Sequence, residues 1–593
     1  MIKYLNCLTK LFYIILMILL IYTISLAWNN PALGYELNIY NYIPVIFLTI
    51  IIIFYIISSL HIYTLITNKF NYNIFILILT ILLIIKITLL YMPYIRGYIS
   101  WRGDNFDYLG MIKDVLLNYH YNVNNKYPII FINIAQLINV TNLPISLVAN
   151  LSTGIISLYF VLLIYLLTSL FKNKQYQIIS TWIVGIIILL GGYNVILSPN
   201  GWSIFLLPLV YYLYFRANLN SYRILLILIL TIYPMFHPLS AFMLILSLLI
   251  FELGKWFYSI HRNNNENIYD SYTLRILLLL IVIFTTWILS HQQFNLNIQI
   301  AWQQIISSSG STKYMELVES INKLNVSGYN TIILLFKIFG AQMILFFISL
   351  FSIYVIFKKK NMIPHKDYFI LLFVIFLFDG LIYFAYLIGL PGTIALGRGQ
   401  WDRRFLGYIE ILLPIFVSIP LYYVIIIKKN IYYKISFFIL ILLCSYLSIY
   451  SLFDSPNIYR PSLQLTNMEI AGMNWLINNK REDIQILHIL SFPNVLANGI
   501  LGYESGNSKN NVYRYSQQFL DHFGYDYYNF VGTQYILDKY AYITKFDKIV
   551  YSSVWSTVGR YINQDFDKFE QDISIDKIYT NAESQNYYIK TLP

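Results

Sequence analysis

The chain has 593 residues, 58% of them hydrophobic and only 11% charged, with a mean hydropathy of +0.61. Soluble domains carry about 25% charged residues, so a soluble globular protein is excluded and a polytopic membrane protein is expected. The net charge of +12 does not point to nucleic acid, because Lys and Arg gather at the ends of apolar runs, where retention at the cytoplasmic face accounts for them. Cys7 and Cys444 are the only cysteines, too few for a disulfide framework or a thiolate metal centre.

Lys3 and Lys10 precede an apolar run that ends at Ala27. Ser25-Leu26-Ala27 has the small-residue pattern of a signal-peptidase site, but the run is long enough to span, which favours an uncleaved anchor. Further long runs cover 42–66, 74–94, 146–170, 178–197, 329–357, 368–390, 406–427 and 433–452, with shorter ones at 202–215, 224–236, 239–257 and 276–290. Together they predict about thirteen crossings. With the N-terminus inside, Lys69, Lys172, Lys174, Arg216, Arg223, Lys358, Lys359, Lys360, Lys428 and Lys429 fall on the cytoplasmic side, as the positive-inside rule requires. Three spans then precede Trp101, which places the segment after it outside.

That segment, WRGDNFDYLGMIKDVLLNYHYNVNNKYP (101–128), is polar and carries carboxylates between apolar runs. Tyr108, Leu109, Ile112, Val115, Leu116 and Tyr119 form one helical stripe, so a surface helix is expected from Asn105 to about Tyr119. Asp104 stands at its start. One role open to it is that of a helix cap, with Asp107 completing a loose capping box.

A second role comes from likeness. GDNFDYLGMIKDVL followed by KYPIIFINIAQLI resembles the first outer loop of GT-C superfamily glycosyltransferases, polytopic enzymes that include protein O-mannosyltransferases and aminoarabinose transferases. Asp104 matches the acidic residue near the helix start, and Tyr127-Pro128 matches a later Tyr-Pro-Pro-like element with one proline. Asn105 stands where a second acid is usual, which leaves Asp107 as a stand-in. The resemblance implies a prokaryotic membrane glycosyltransferase that moves a sugar from a polyprenyl-phosphate donor to a hydroxyl of a protein, glycan or lipid acceptor at the outer face, with inversion. Asp104 would be the general base, with Asp107 beside it. Relatives differ on metal use, so a divalent ion (Mg or Mn) held by Asp104 and another carboxylate stays open.

Pro199 and His237-Pro238 fall at outer turns between short spans. Such turns can wall a cavity, with His237 as a second polar group, or His237 can simply bond its own turn. The outer loop 291–328 carries a hinge-like stretch at 307–312 and an amphipathic segment at 313–324. It resembles the mobile outer loop of oligosaccharyl transferases, where Glu316 would supply a carboxylate unless it lies on a solvated helix face. Arg398, Arg403 and Arg404 crowd a short outer loop against the charge bias seen elsewhere. Their planar forks suit a donor phosphate, and snorkelling to lipid headgroups is the alternative. Lys86, Lys337 and Asp379 lie within apolar runs, where charge is functional by default.

After Leu452 the composition turns polar, and 454–593 is long enough for one small mixed α/β domain, outside by the parity of the spans. Thr466 and Glu469 predict a capped helix through Asn479 that buries Met468, Ala471, Trp475 and Leu476. Strands are expected at 484–490, 535–543 and 548–552, with a terminal hairpin formed by 577–579 and 587–590. Similar appended domains occur on prokaryotic GT-C enzymes. GYDYYNF (524–530) does not reproduce the Trp-Trp-Asp-Tyr-Gly motif of oligosaccharyl transferases, which argues against asparagine-linked transfer.

The expected organisation is therefore a multi-pass cell-membrane protein with a GT-C-like helical bundle at 1–453. A catalytic outer loop at 95–145 and a second outer loop at 291–328 belong to the bundle, and an extracytoplasmic domain follows at 454–593. Two rivals predict different observations. A transporter or lipid-linked-sugar flippase would line a midplane path with Lys86, Lys337 and Asp379 and show repeated halves. A non-catalytic surface-anchored binding protein would have a dry outer face.

Overall fold

The computed structural model describes residues 2–67, 72–122, 125–262, 271–291, 296, 299, 329–358, 366–387, 401–428, 430–506 and 516–592. In chain order the helices of the first part are α1 (Ile2–Asn29), α2 (Val45–Thr67), α3 (Tyr72–Ile95), α4 (Asp104–Asn118), α5 (Pro128–Thr141), α6 (Ile145–Thr168), α7 (Lys174–Ile186), α8 (Pro199–Phe215), α9 (Asn220–Phe236), α10 (Pro238–Arg262) and α11 (Ser271–Leu289). They are followed by α12 (Tyr329–Lys358), α13 (Lys366–Leu387), α14 (Trp401–Glu410), α15 (Leu413–Ile426) and α16 (Ile431–Tyr450). Among the described residues, nine helical stretches are long and apolar enough to cross a membrane, α14 and α15 together supplying one of them. This is four fewer than the thirteen crossings expected: α7, α8 and α9 have only 13, 17 and 17 residues, and the described apolar stretch of α13 is confined to Leu372–Phe384.

One expected span is interrupted. The run 178–197 is helical only to Ile186, after which the chain is irregular apart from a single 3-10 turn at Gly191–Asn194. Irregular backbone inside a membrane bundle is tolerated when its polar groups find partners within the protein, and here named side chains supply them. Lys86 donates to the Val184 carbonyl at 3.2 Å, Ser448 Oγ accepts from Ile188 N at 3.0 Å, and the Glu410 carboxylate accepts from Leu190 N. Asn194 Nδ2 donates to the carbonyls of Leu189 and Gly191 at 2.7 and 2.8 Å. Lys86, a candidate for a transport path, is therefore spent on a helix end.

The C-terminal part is a mixed α/β domain. Strand β1 (Ser100–Trp101), from the first outer loop, pairs antiparallel with β2 (Gln464–Leu465) at the domain's entry. Helices α17 (Asn467–Asn479), α18 (Pro493–Leu501), α19 (Tyr503–Gly506), α20 (Lys545–Ile549) and α21 (Asn563–Gln571) pack around a five-stranded sheet. The sheet is built from β3 (Ile486–His488), β4 (Gln517–Gln518), β5 (Lys539–Thr544), β6 (Ile575–Thr580) and β7 (Ser584–Ile589), in the order β4-β3-β5-β7-β6. β3 runs parallel to both its neighbours, and β7 runs antiparallel to both β5 and β6.

Two local expectations differ from the structure. The stretch 548–552 is helical rather than extended, because Thr544 and Asp547 form a capping box that starts α20 there. The predicted Thr466–Glu469 box is present, but α17 buries Glu469, Gly472, Met473 and Leu476 while Met468 and Ala471 are exposed. The inward turn of Glu469 towards Arg102 accounts for that rotated face.

The apolar cores follow this layout. One fills the bundle. A second joins Phe106, Leu109, Ile112 and Phe131 of α4 and α5 to Met473, Leu476, Leu496 and Ala497 of α17 and α18. Close approach needs glycine on both sides: a Cβ on Gly110 would lie 2.2 Å from the Asn498 carbonyl oxygen, and one on Gly499 would lie 2.3 Å from the Phe106 ring. The outer-loop helix is thus sandwiched between bundle and domain.

Candidate functional site

The loop before α4 is anchored before its carboxylates are reached. Arg102 N donates to Leu463 O at 2.8 Å, and the Arg102 guanidinium pairs with the buried Glu469 carboxylate and lies 4.0 Å from the centre of the Phe546 ring. Gly103, with φ 76°, is the N-cap of α4, so Asp104 is the first helical residue rather than its cap. No side-chain capping bond forms, and the loose Asp104–Asp107 capping box is absent. The Asp104 carboxylate is exposed and has no hydrogen-bond partner among the described residues. A negative charge at this position is favoured by the helix dipole.

Asn105, where the resemblance leads one to expect a second acid, is buried and fully used. Its Nδ2 donates to Ser100 Oγ at 2.7 Å and its Oδ1 accepts from Leu197 N at 2.7 Å. A carboxylate there would have to accept from the Ser100 hydroxyl instead of donating to it. This amide ties α4 to the irregular segment after α7.

Asp107, one turn further on, is half-buried and accepts from Asn498 Nδ2 at 3.0 Å. Burial pushes its carboxyl up to about 7, against the lowering effect of the Asn498 bond, with Asp104 adding a smaller upward push. The charge of Asp104 is felt at Asp107, Tyr108 and Tyr127, and that of Arg404 at Tyr108, Tyr127 and His237. Tyr127, at the N-cap of α5, stacks on His237 with ring centres 5.7 Å apart. His237 is buried at the α9–α10 junction, and its Nδ1 has no hydrogen-bond partner among the described residues. Burial, and secondarily Arg404, lowers it to about 3, so it is neutral at physiological pH.

The fold therefore brings Asp104 and Asp107 of α4 together with His237 and Arg404, from three separate stretches, around Tyr108 and Tyr127. Arg398 and Glu316 lie outside the described residues, as does almost all of the second outer loop, and Arg403 is on α14 without a described side chain. Sequence reasoning did not find Asn498 or the Arg102–Glu469 pair; only the cluster of glycines around Asn498 signals a close approach. Among the described residues there is no group of three or more His, Cys, Asp or Glu that would hold Mg or Mn. Asp104 and Asp107 stand one turn apart on α4, and Mg²⁺ is usually held by one or two carboxylates completed by waters and substrate phosphates.

The raised Asp107 carboxyl has a measurable consequence. Its folded value near 7 exceeds the unfolded value of about 3.9, so between those limits the folded state holds the proton and the unfolded state does not. Stability accordingly falls as pH rises from about 4 to about 7 and levels off above. Asp107→Asn removes this term. The melting temperature of the variant minus that of the wild type should climb from pH 5 to pH 7 and stay flat to pH 8; parallel curves would show that Asp107 ionises normally.

Comparison with known proteins gives no match to any protein-family profile or to any curated protein. Among solved structures, the Archaeoglobus fulgidus oligosaccharyltransferase in complex with Zn and sulfate aligns at 12% identity and a TM-score of 0.43, covering 74% of this chain and 61% of that one. The chain thus spans less than two thirds of that protein's length. The oligosaccharyltransferase AglB of the same organism, with an inhibitory peptide and a dolichol-phosphate, aligns at 10% identity and a TM-score of 0.47, covering 81% and 70%. ArnT from Cupriavidus metallidurans bound to undecaprenyl phosphate aligns at 8% identity and a TM-score of 0.43, covering 87% and 97%.

Proposed function

We propose that the chain is an integral membrane glycosyltransferase of the GT-C type. In this reading it moves a sugar from a polyprenyl-phosphate donor to an acceptor hydroxyl at the outer face of the cell membrane, and the C-terminal domain lies on that same face. One observation carries the reading: the exposed Asp104 carboxylate at the head of α4, without a hydrogen-bond partner among the described residues, with the charges of Asp104 and Arg404 both bearing on Tyr108 and Tyr127. The first-loop resemblance supplies the donor class.

The chemistry needs a base and an electrophilic partner on opposite sides of the anomeric carbon. Asp104 takes the acceptor hydroxyl proton as the oxygen bonds to that carbon, in general-base catalysis. The bond from the anomeric carbon to the phosphate oxygen breaks, and its electron pair leaves with the phosphate. Arg404 stabilises the charge developing there, while neutral His237 offers a ring nitrogen without adding net charge. A single displacement inverts the configuration. Arg398 and Arg403 extend the cationic lining in this proposal, and Glu316 belongs to the loop that would cover it.

The transporter alternative draws little support from its three charges. Lys86 is bound to Val184 O, Lys337 lies 5.9 Å from the centre of the Tyr450 ring, and Asp379 is buried with no hydrogen-bond partner among the described residues. A non-catalytic anchor is disfavoured by the way the domain packs onto α4 rather than standing clear of it. The deciding assay uses purified full-length protein in nanodiscs with radiolabelled monosaccharides on undecaprenyl and dolichyl phosphate. Label should pass to a hydroxyl acceptor or to water, with release of the polyprenyl phosphate. Intact donors throughout the panel, but label crossing the bilayer in proteoliposomes, would replace the transferase with the flippase.

A further inference from the structure

The acidic pair at the head of α4 is not made by the outer loop alone. α18 reaches across from the C-terminal domain and places Asn498, which is 3% exposed, against Asp107. The approach is fixed at several points: Lys113 Nζ donates to Ile500 O at 2.5 Å, and Asp114 accepts from Glu504 N at 2.8 Å. Asn498 donates one amide hydrogen to Asp107, and its Oδ1 is buried without a partner among the described residues. A buried amide oxygen left unsatisfied is costly, which indicates that the residue is held for the bond its nitrogen makes.

We infer that Asn498 is a positioning residue: it draws the Asp107 carboxylate towards the C-terminal domain, so that Asp104 alone faces the acceptor. This rests on the reading of α4 as the catalytic helix. The groups around Asp107 bear this out. Asp104 is the charged neighbour on its own helix, and α18 contributes the uncharged Asn498. Tyr127 from α5 and Arg404 from α14 bear on the adjacent Tyr108, and Tyr503 from α19 bears on Tyr127. Of these, Asn498 is the donor that stabilises the ionised form of Asp107 directly. Without that bond Asp107 keeps its proton to higher pH and is free to swing towards Asp104 and share it.

Infrared difference spectra of the full-length protein, recorded as pH is stepped from 5 to 9, test this directly. The carbonyl band of a protonated carboxyl, assigned to Asp107 by its loss in Asp107→Asn, should disappear with a midpoint near 7 in the wild type. In Asn498→Ala, and in the near-isosteric Asn498→Leu that keeps the volume at the α4–α18 contact, the midpoint should move up by about one unit, a tenfold change in proton affinity. Where the donor panel identifies a substrate, the acid limb of kcat against pH should shift with it while the donor KM holds. An unmoved band in folded Asn498→Leu overturns the coupling whatever the activity. A shifted band in a protein that turns over no donor keeps the coupling and removes the transferase reading.

Discussion

Asp104→Asn is expected to lower kcat for sugar transfer by about 10²–10⁴-fold, the range that general-base assistance contributes, with donor KM nearly unchanged. The geometry makes this a clean experiment. Asp104 is exposed, caps nothing and accepts no hydrogen bond among the described residues, so its replacement disturbs no packing. The structural cost is confined to the helix-dipole term for a first-turn carboxylate, about 0.3–1 kcal/mol. A fall in activity at near-constant melting temperature therefore reports chemistry rather than unfolding. Asp104→Glu should retain part of the rate, because it keeps the base but displaces it by one methylene. Asp107→Asn should cost less than Asp104→Asn, since its carboxylate is already bonded to Asn498. Full turnover in Asp104→Asn, measured on a donor that the wild type uses, would sink the assignment of the base.

What sequence revealed of this molecule follows the strength of local signals. Apolar runs locate spans because a bilayer demands about 20 such residues, and the observed helices begin and end within a few residues of most of them. The interruption after Ile186 was not legible, since Ile187, Ile188, Leu189 and Leu190 continue the apolar run. What ends the helix is a set of distant partners, Lys86, Ser448 and Glu410, that only the fold brings near. The same holds at the site. Asp104 and its helix could be read from the spacing of 101–128, while His237 and Arg404, separated from it by more than a hundred residues, were visible only as isolated oddities. Asn498 gave no sign of its own, because an asparagine in a polar domain is unremarkable until the helix opposite it is known. Of the two roles the sequence leaves open to Asp104, the cap is excluded, because Gly103 at positive φ takes that position.

Arg102→Ala is expected to be the most destabilising single change in the outer-loop region, at about 3–5 kcal/mol, the cost of stranding one partner of a buried ion pair. Arg102 holds the domain against the loop by three means at once. It pairs with Glu469, donates to Ser491 Oγ at 3.2 Å, and lies over the Phe546 ring. Glu469 is wholly buried, and its other oxygen is committed to Thr466 N at 3.0 Å, with the charge of Asp547 close enough to oppose its own. Without the guanidinium, Glu469 must take up a proton or pull α17 open. Pulling α17 open loosens β2 from β1 and α18 from α4, so that Asp107 loses Asn498 although no residue near it has changed. Thermal unfolding of the solubilised protein should show the loss, and limited proteolysis should cut the 454–466 linker faster. The Arg102→Met/Glu469→Met pair should recover most of the stability, because a well-packed apolar replacement of a buried pair is often neutral or stabilising. Equal melting temperatures and equal cleavage for Arg102→Ala and the wild type would mean that the apolar contact between α4 and α18 alone holds the domain over the site.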